Sequence, residues 1–186
     1  MPYAQQQLIE VAIREGYEAF AVATRSFPAD TFYAFCFYAD AELTSIYPHA
    51  NTLESLAQVD SSADANYFKW APAEWQLDFG QYGDPGLMPE TNRLLRQSYA
   101  DLKTDDEFAA RKKQMIATLS EALLSIKRSS VFQGHADLER LACWVNIGDL
   151  CGEQEWMFAP VIDEMPADVV EELRQLFEFE VQRKRA

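Results

Sequence analysis

The sequence predicts a single α+β domain: a small, mostly antiparallel sheet packed against several helices. Three observations carry this. Residues Phe32 to Tyr38 form an unbroken apolar and aromatic run, the pattern of a strand covered on both faces. Stretches of helical periodicity stand at both ends of the chain and in its middle. Between them lie short, hairpin-like runs bounded by turn residues, with no regular strand-helix alternation. At 186 residues and 48% hydrophobic content the chain is long and apolar enough to bury one core.

The first helix is expected over residues 3 to about 26, where Ile9, Ile13, Gly16, Tyr17, Phe20 and Thr24 recur at three- and four-residue spacing. Pro28 ends it. The central strand follows. Strict alternation would set Phe32, Ala34, Cys36 and Tyr38 on one face, and Tyr33, Phe35 and Phe37 on the other. Asp40-Ala41-Glu42 suits a hairpin turn into a second strand, Leu43 to Tyr47, with Pro48 at its end. Asn51 or Thr52 opens a short helix, and Asn51 with Glu54 resembles a capping box. Ser61 to Asp64 reads as a loop. A short strand is expected up to Trp70, then a helical turn opened by Pro72.

Gly80 to Gly86 is turn-rich. A helix over roughly 88–102 directs Leu94, Leu95, Tyr99 and Leu102 inward. The next begins at a capping box, Thr104 to Glu107, and runs through Met115, Leu119, Leu123 and Ile126 to Lys127-Arg128. Gly134 breaks the chain, and Asp137 to Leu141 suits a helical turn. Ala142 to Ile147 and Gln154 to Phe158 are strand candidates. The last helix starts near Pro166, with Val169, Val170, Leu173, Leu176, Phe177 and Val181 on its apolar face.

The formal net charge is −14, which repels phosphate backbones, so nucleic acid is not an expected partner. From Asp40 to Glu90 there are nine acidic residues and one basic residue, Lys69. Such a segment suits a docking face for a basic partner. No stretch approaches the ~20 apolar residues of a membrane span, and the N-terminus lacks a signal-like apolar core. Cys36, Cys143 and Cys151 are odd in number and lack metal-ligand spacing. Free thiols in a reducing cytoplasm are the expectation.

The catalytic inventory is thin. Only His49 and His135 are present, too few for a His-rich metal site. His49, in Pro-His-Ala-Asn, reads as a turn residue, with a ligand contact as its functional reading. No nucleophile elbow, P-loop or dinucleotide fingerprint occurs. Cys36, inside a strand, has no neighbouring cation in sequence to activate it. Asp40 with Glu42, and Asp78 with Asp84, are carboxylates without EF-hand spacing, so no cofactor or metal is expected. Trp70 and Trp75 read either as loop packing or as anchors of an interface.

Several segments together resemble a bacterial family known only as domain-of-unknown-function 4303. They are the N-terminal helix, Phe32-Tyr33-Ala34-Phe35-Cys36-Phe37-Tyr38 leading into Asp40-x-Glu42-Leu43, Asn51-Thr52 before a helix, Trp70-Ala71-Pro72-Ala73-Glu74-Trp75, and the Trp144-Val145 strand. The resemblance brings no activity and no catalytic residues. Small acidic bacterial proteins of this general kind often accompany toxins as immunity proteins, an association by class. The leading expectation is a non-enzymatic interaction protein that meets a basic partner, such as a toxin domain, through Asp40, Glu42, Trp70, Glu74, Trp75 and Asp78. The alternative is a small-ligand-binding protein or enzyme with a carboxylate-lined cleft near the central hairpin, His49 among its polar groups.

Overall fold

A computed structural model of the chain describes residues 3–59, 65–75, 87–148 and 155–185. In chain order its elements are α1 (Tyr3–Ser26), β1 (Phe32–Ala39), β2 (Ile46–Thr52), α2 (Leu53–Leu56), α3 (Ala65–Trp70), α4 (Pro89–Tyr99), α5 (Asp105–Lys127), β3 (Ala142–Ile147), α6 (Glu155–Phe158) and α7 (Ala167–Arg185). Single 3₁₀ turns lie at Pro72–Glu74, Ser130–Phe132 and Ile162–Glu164. The α+β class and the small sheet match the expectation. The sheet is mixed: in the order β2-β1-β3, β1 pairs with β2 antiparallel and with β3 parallel. The parallel pairing follows from the long helical crossover between β1 and β3, which α4 and α5 occupy. No helix among the described residues is long and apolar enough to cross a membrane.

β1 is the middle strand, buried along nearly its whole length. Its side chains do not follow strict alternation. The register slips between Phe32 and Ala34, a bulge that turns Phe32 to the side of Phe35 and Phe37. Phe32 and Phe35 both meet the ring of Phe20 on α1, edge to face at 5.0 and 5.3 Å, and Phe132 closes the cluster. Tyr33 turns the other way, onto Trp70. One face of the sheet is thus covered by α1 and α5, and the other by α3, α6 and the segments around them.

α1 packs so close at Gly16 that any side chain there makes a neighbour shift. A Cβ there would lie 2.7 Å from Ile126 Cδ1 and 3.0 Å from Phe37 Cζ, both on fully buried side chains. Tyr17, expected on the buried face, is 40% exposed, and Glu15 instead turns inward. The best sequence signal was also the most accurate: Thr104 and Glu107 form a reciprocal capping box that starts α5.

Four assignments differ. β2 begins at Ile46 rather than Leu43, because the carboxylate of Asp40 collects donors from Thr44 and Ser45 and holds residues 40–45 as a loop. His49 therefore lies inside a strand. The segment ending at Trp70 is the helix α3, whose spacing sends Asn66, Lys69 and Trp70 together to Glu172 of α7. Residues 155–158 are the helical turn α6, not a strand. At α2, Thr52 is the N-cap, accepting from Ser55 N–H at 3.1 Å, while Glu54 accepts from Thr31 N–H instead of completing a box. The Gly80–Gly86 and Ser61–Asp64 segments lie outside the described residues.

Gly16→Val forces a branched side chain between Ile126 and Phe37. It should lower unfolding free energy by about 1–3 kcal/mol, read by urea denaturation, despite valine's better helix propensity.

Candidate functional site

Two regions contain the residues singled out from sequence. The first is the loop that joins β1 to β2. Asp40, at the end of β1, accepts from Thr44 N–H at 2.6 Å, Thr44 Oγ1 at 2.7 Å and Ser45 Oγ at 2.7 Å. Partial burial pushes its carboxyl up, but these hydrogen bonds outweigh that and hold it below the usual carboxylate range. The bonds also hold Leu43 at a φ of 56°, an uncommon backbone state for a branched residue, with its side chain fully buried. Asp40 is thus committed to building the loop, while Glu42 is exposed beside it.

The loop rests against the helices. Lys112 Nζ on α5 donates to the backbone oxygen of Ala41 at 2.5 Å. The ring of Tyr99, at the end of α4, stacks at 4.8 Å on Phe108 and lies in the fields of both Asp40 and Arg111. Its buried hydroxyl has no hydrogen-bond partner among the described residues. Burial first, with Asp40 adding to it, raises its pKa against the opposing pull of Arg111. The end of β1, the end of α4 and the start of α5 therefore meet at one corner of the molecule. Glu42 of the loop, Asp101 after α4, and Asp105 and Asp106 in the first turn of α5 are all exposed, as is Lys103 between α4 and α5.

The second region covers the opposite face of the sheet. Trp70 is 2% exposed and Trp75 8%; their rings meet Trp144 of β3 edge to face at 6.0 and 5.7 Å. Trp70 Nε1 donates to Glu172 Oε2 at 2.7 Å, and Lys69 Nζ reaches the same oxygen at 2.5 Å. Tyr33 Oη donates to the carbonyl of Lys69 at 2.7 Å and accepts from Asn51 Nδ2 at 2.9 Å. Trp75 Nε1 shares that carbonyl at 3.2 Å. Burial is the main cause that pushes the Tyr33 phenol well above its ordinary value. Both tryptophans are therefore parts of the core, each with its indole N–H satisfied, and neither presents a ring to a partner. Glu74 is exposed and accepts from Tyr67 Oη at 3.1 Å. Asp78 and Asp84 lie outside the described residues.

His49 is half-buried on β2, its ring tilted against Tyr38 at 5.1 Å. Its Nδ1 lies 3.2 Å from the carbonyl of Pro72, so the proton is on Nδ1, because a carbonyl only accepts. Burial lowers its pKa, and the Pro72 contact offsets part of that. At neutral pH it is an uncharged strand residue that pins the Pro72 turn to the sheet. The structure places it away from Asp40: Cys36 is its neighbour on β1, whereas Asp40 follows the strand's far end. Asp40 and His49 therefore do not converge on one site.

The thiols are equally unsuited to nucleophilic work. Burial pushes Cys36 well up and Cys143 up to about 12, Lys127 opposing the latter. Cys151 lies outside the described residues. No group of three or more potential metal ligands occurs among the described residues.

Two buried polar contacts escaped sequence reasoning. Glu15, 5% exposed, reaches across from α1 to the first turn of α4 and accepts from Glu90 N–H, Thr91 N–H and Thr91 Oγ1, the last at 2.7 Å. It supplies a capping carboxylate for a helix whose own N-cap, Met88, has none. Asn92, 1% exposed, donates to Ile46 O at 3.2 Å and accepts from Ile46 N–H at 2.7 Å. Both join segments far apart in sequence, which leaves no local signal.

Two outcomes are expected. Trp70→Ala should cost about 3–5 kcal/mol of folding stability in chemical denaturation, a loss that an exposed ring would not produce. Asp40→Ala should cost about 1–2 kcal/mol at pH 7. Because the folded carboxyl is held below its unfolded value of about 4, its contribution is complete above that value and lost as pH falls below it. The gap between wild type and variant, measured by urea unfolding from pH 7 to pH 2.5, should therefore close at the acid end.

Neither the curated proteins nor the solved structures include a match to this chain. A family model does match: that of the domain of unknown function DUF4303 covers residues 9–150, from the first helix through the end of β3. That span includes the central sheet, the loop built by Asp40 and the Trp70–Trp75 cover. The chain belongs to the DUF4303 family.

Proposed function

We propose that the protein is a non-enzymatic interaction module of the immunity type, working in the cytoplasm and binding a basic partner protein such as a toxin domain. The observation that carries this reading is the corner where the β1–β2 loop meets α4 and α5. The loop, the α4–α5 link and the first turn of α5 carry the exposed acids Glu42, Asp101, Asp105 and Asp106 against one exposed cation, Lys103, and Lys112 ties the loop to α5 through Ala41. Complementary charge speeds encounter and rejects acidic competitors. The total of −14 adds a long-range field of the same sign and disfavours phosphate-bearing partners.

The surface reading is also supported by what the polar groups with chemical potential are engaged in. Asp40 holds a loop, His49 pins a turn, Trp70 and Trp75 fill the core, and Cys36 and Cys143 are buried thiols. Reduced, buried thiols suit a reducing compartment. Of the residues picked from sequence, Glu42 and Glu74 offer exposed charge, and Glu42 lies at the acidic corner.

A tagged pull-down from the native host, eluted with a salt gradient and read by mass spectrometry, tests the proposal. A single basic protein released as salt rises is the expected result. Failure to retain any specific basic protein, or retention indifferent to salt, overturns it.

A further inference from the structure

The helices of this fold are not all held in the same way. α5 encloses Met115, Ile116, Leu119, Leu123 and Ile126, a full apolar stripe. The buried residues of α4 are Thr91, Asn92 and Leu95, so the helix encloses one apolar side chain of its own, with Met88 just before it. Leu94 and Tyr99 are half-buried. A helix of 11 residues is too short to stand on its own hydrogen bonds, and the apolar area it buries is small.

Polar bonds supply the rest of the attachment. At the first turn, Glu15 of α1 accepts from Glu90 N–H at 3.1 Å, Thr91 N–H at 3.0 Å and Thr91 Oγ1 at 2.7 Å. The next residue, Asn92, takes both backbone groups of Ile46. At the other end Arg111 of α5 donates to the carbonyl of Ser98. All of these groups find water once the helix lifts, so their separation costs far less than a hydrogen bond is worth in a dry interior. The Tyr99 hydroxyl, without a partner among the described residues, also gains one from water. Lifting α5, by contrast, would strip the sheet of its apolar cover.

We propose that α4 opens as a unit while the sheet, α1 and α5 stay packed, and that Glu15 and Asn92 are the latches that hold it shut. The two latches act on adjacent positions of one turn, so they release together. Sub-global opening of this kind draws on the part of a fold with few buried apolar contacts. It takes the acceptor away from the Ile46 N–H, so one amide of β2 reports on a helix residue 46 positions away.

Native-state hydrogen exchange of the full chain, followed amide by amide by NMR at urea concentrations below the unfolding transition, tests this. In the wild type, Leu94, Leu95 and Arg96 of α4 should be at least about tenfold less protected than Leu119 and Leu123 of α5, with a shallower dependence on urea. The Ile46 N–H should follow α4 to within about threefold. Two variants separate this opening from global unfolding. Ile147→Val trims a buried side chain of β3, the strand farthest from β2, inside the part that stays packed. It should speed α5 exchange about threefold or more and leave α4 and Ile46 unchanged. Glu15→Gln weakens a latch and should speed α4, Ile46 and α5 alike, by about fivefold. A single urea dependence shared by α4 and α5, or α4 accelerated by Ile147→Val as much as α5, overturns the proposal. Protection of Ile46 about tenfold above that of α4 overturns Asn92 as a latch, and α4 exchange unmoved by Glu15→Gln overturns Glu15 as the other.

Discussion

Burial of β1 on both faces is the constraint from which the rest of the structure follows. A strand of Phe, Tyr, Ala and Cys has no side to give to water, so the chain must supply two covers. The bulge near its start decides which side chain meets which cover, sending Phe32 with Phe35 to Phe20 and Tyr33 to Trp70. The covers are built differently. α1 and α5 are long helices that meet the sheet through close apolar contact, tightest at Gly16. The other cover is assembled from short pieces joined by polar bonds, with Glu172, Tyr33 and the carbonyl of Lys69 as nodes. Short helices bury too little apolar area to hold themselves, so hydrogen bonds made inside the cover contribute what area does not.

This division explains why aromatic and acidic residues adjacent in sequence part company in space. The stretch from Trp70 to Trp75 alternates between the core and solvent: both indoles go inward and Glu74 goes outward. Asp40 and Glu42 divide in the same way, one carboxylate turned back on its own loop and the other left in water. Glu42 and Glu74 are thus left exposed while Asp40 and both indoles are engaged within the fold. The rings serve stability.

Much of the framework is legible in the sequence. α1, α5 and α7 carry several turns of periodic apolar residues with stops or caps, and β1 and β3 are dense β-branched or aromatic runs. α3 and α6 were not legible, because four to six residues span too little of a helical period to be told from a strand. The start of β2 is not legible because Leu43 and Thr44 suit a strand until the Asp40 carboxylate is seen to claim the donors of Thr44 and Ser45. Exposure of Glu42 at the candidate corner follows from a polar residue in a turn. The cavity between α1, α4 and α5 does not, since Leu8, Leu94 and Met115 meet only once those helices are packed. Glu15 and Asn92 looked like ordinary surface polars of amphipathic helices; their partners lie 76 and 46 positions away.

Asn92 has a further consequence for how this molecule meets others. β2 is an outer strand, and an outer strand offers unpaired backbone groups to any extended chain. At Ile46 both of those groups are already taken by one side-chain amide projected from α4. An incoming strand would have to dislodge a buried asparagine, and with it the helix that carries it, before forming its first pair. The amide works as a stop on sheet extension at that end. Sheet growth from that end of β2 is thereby opposed by a side chain that arrives from a helix.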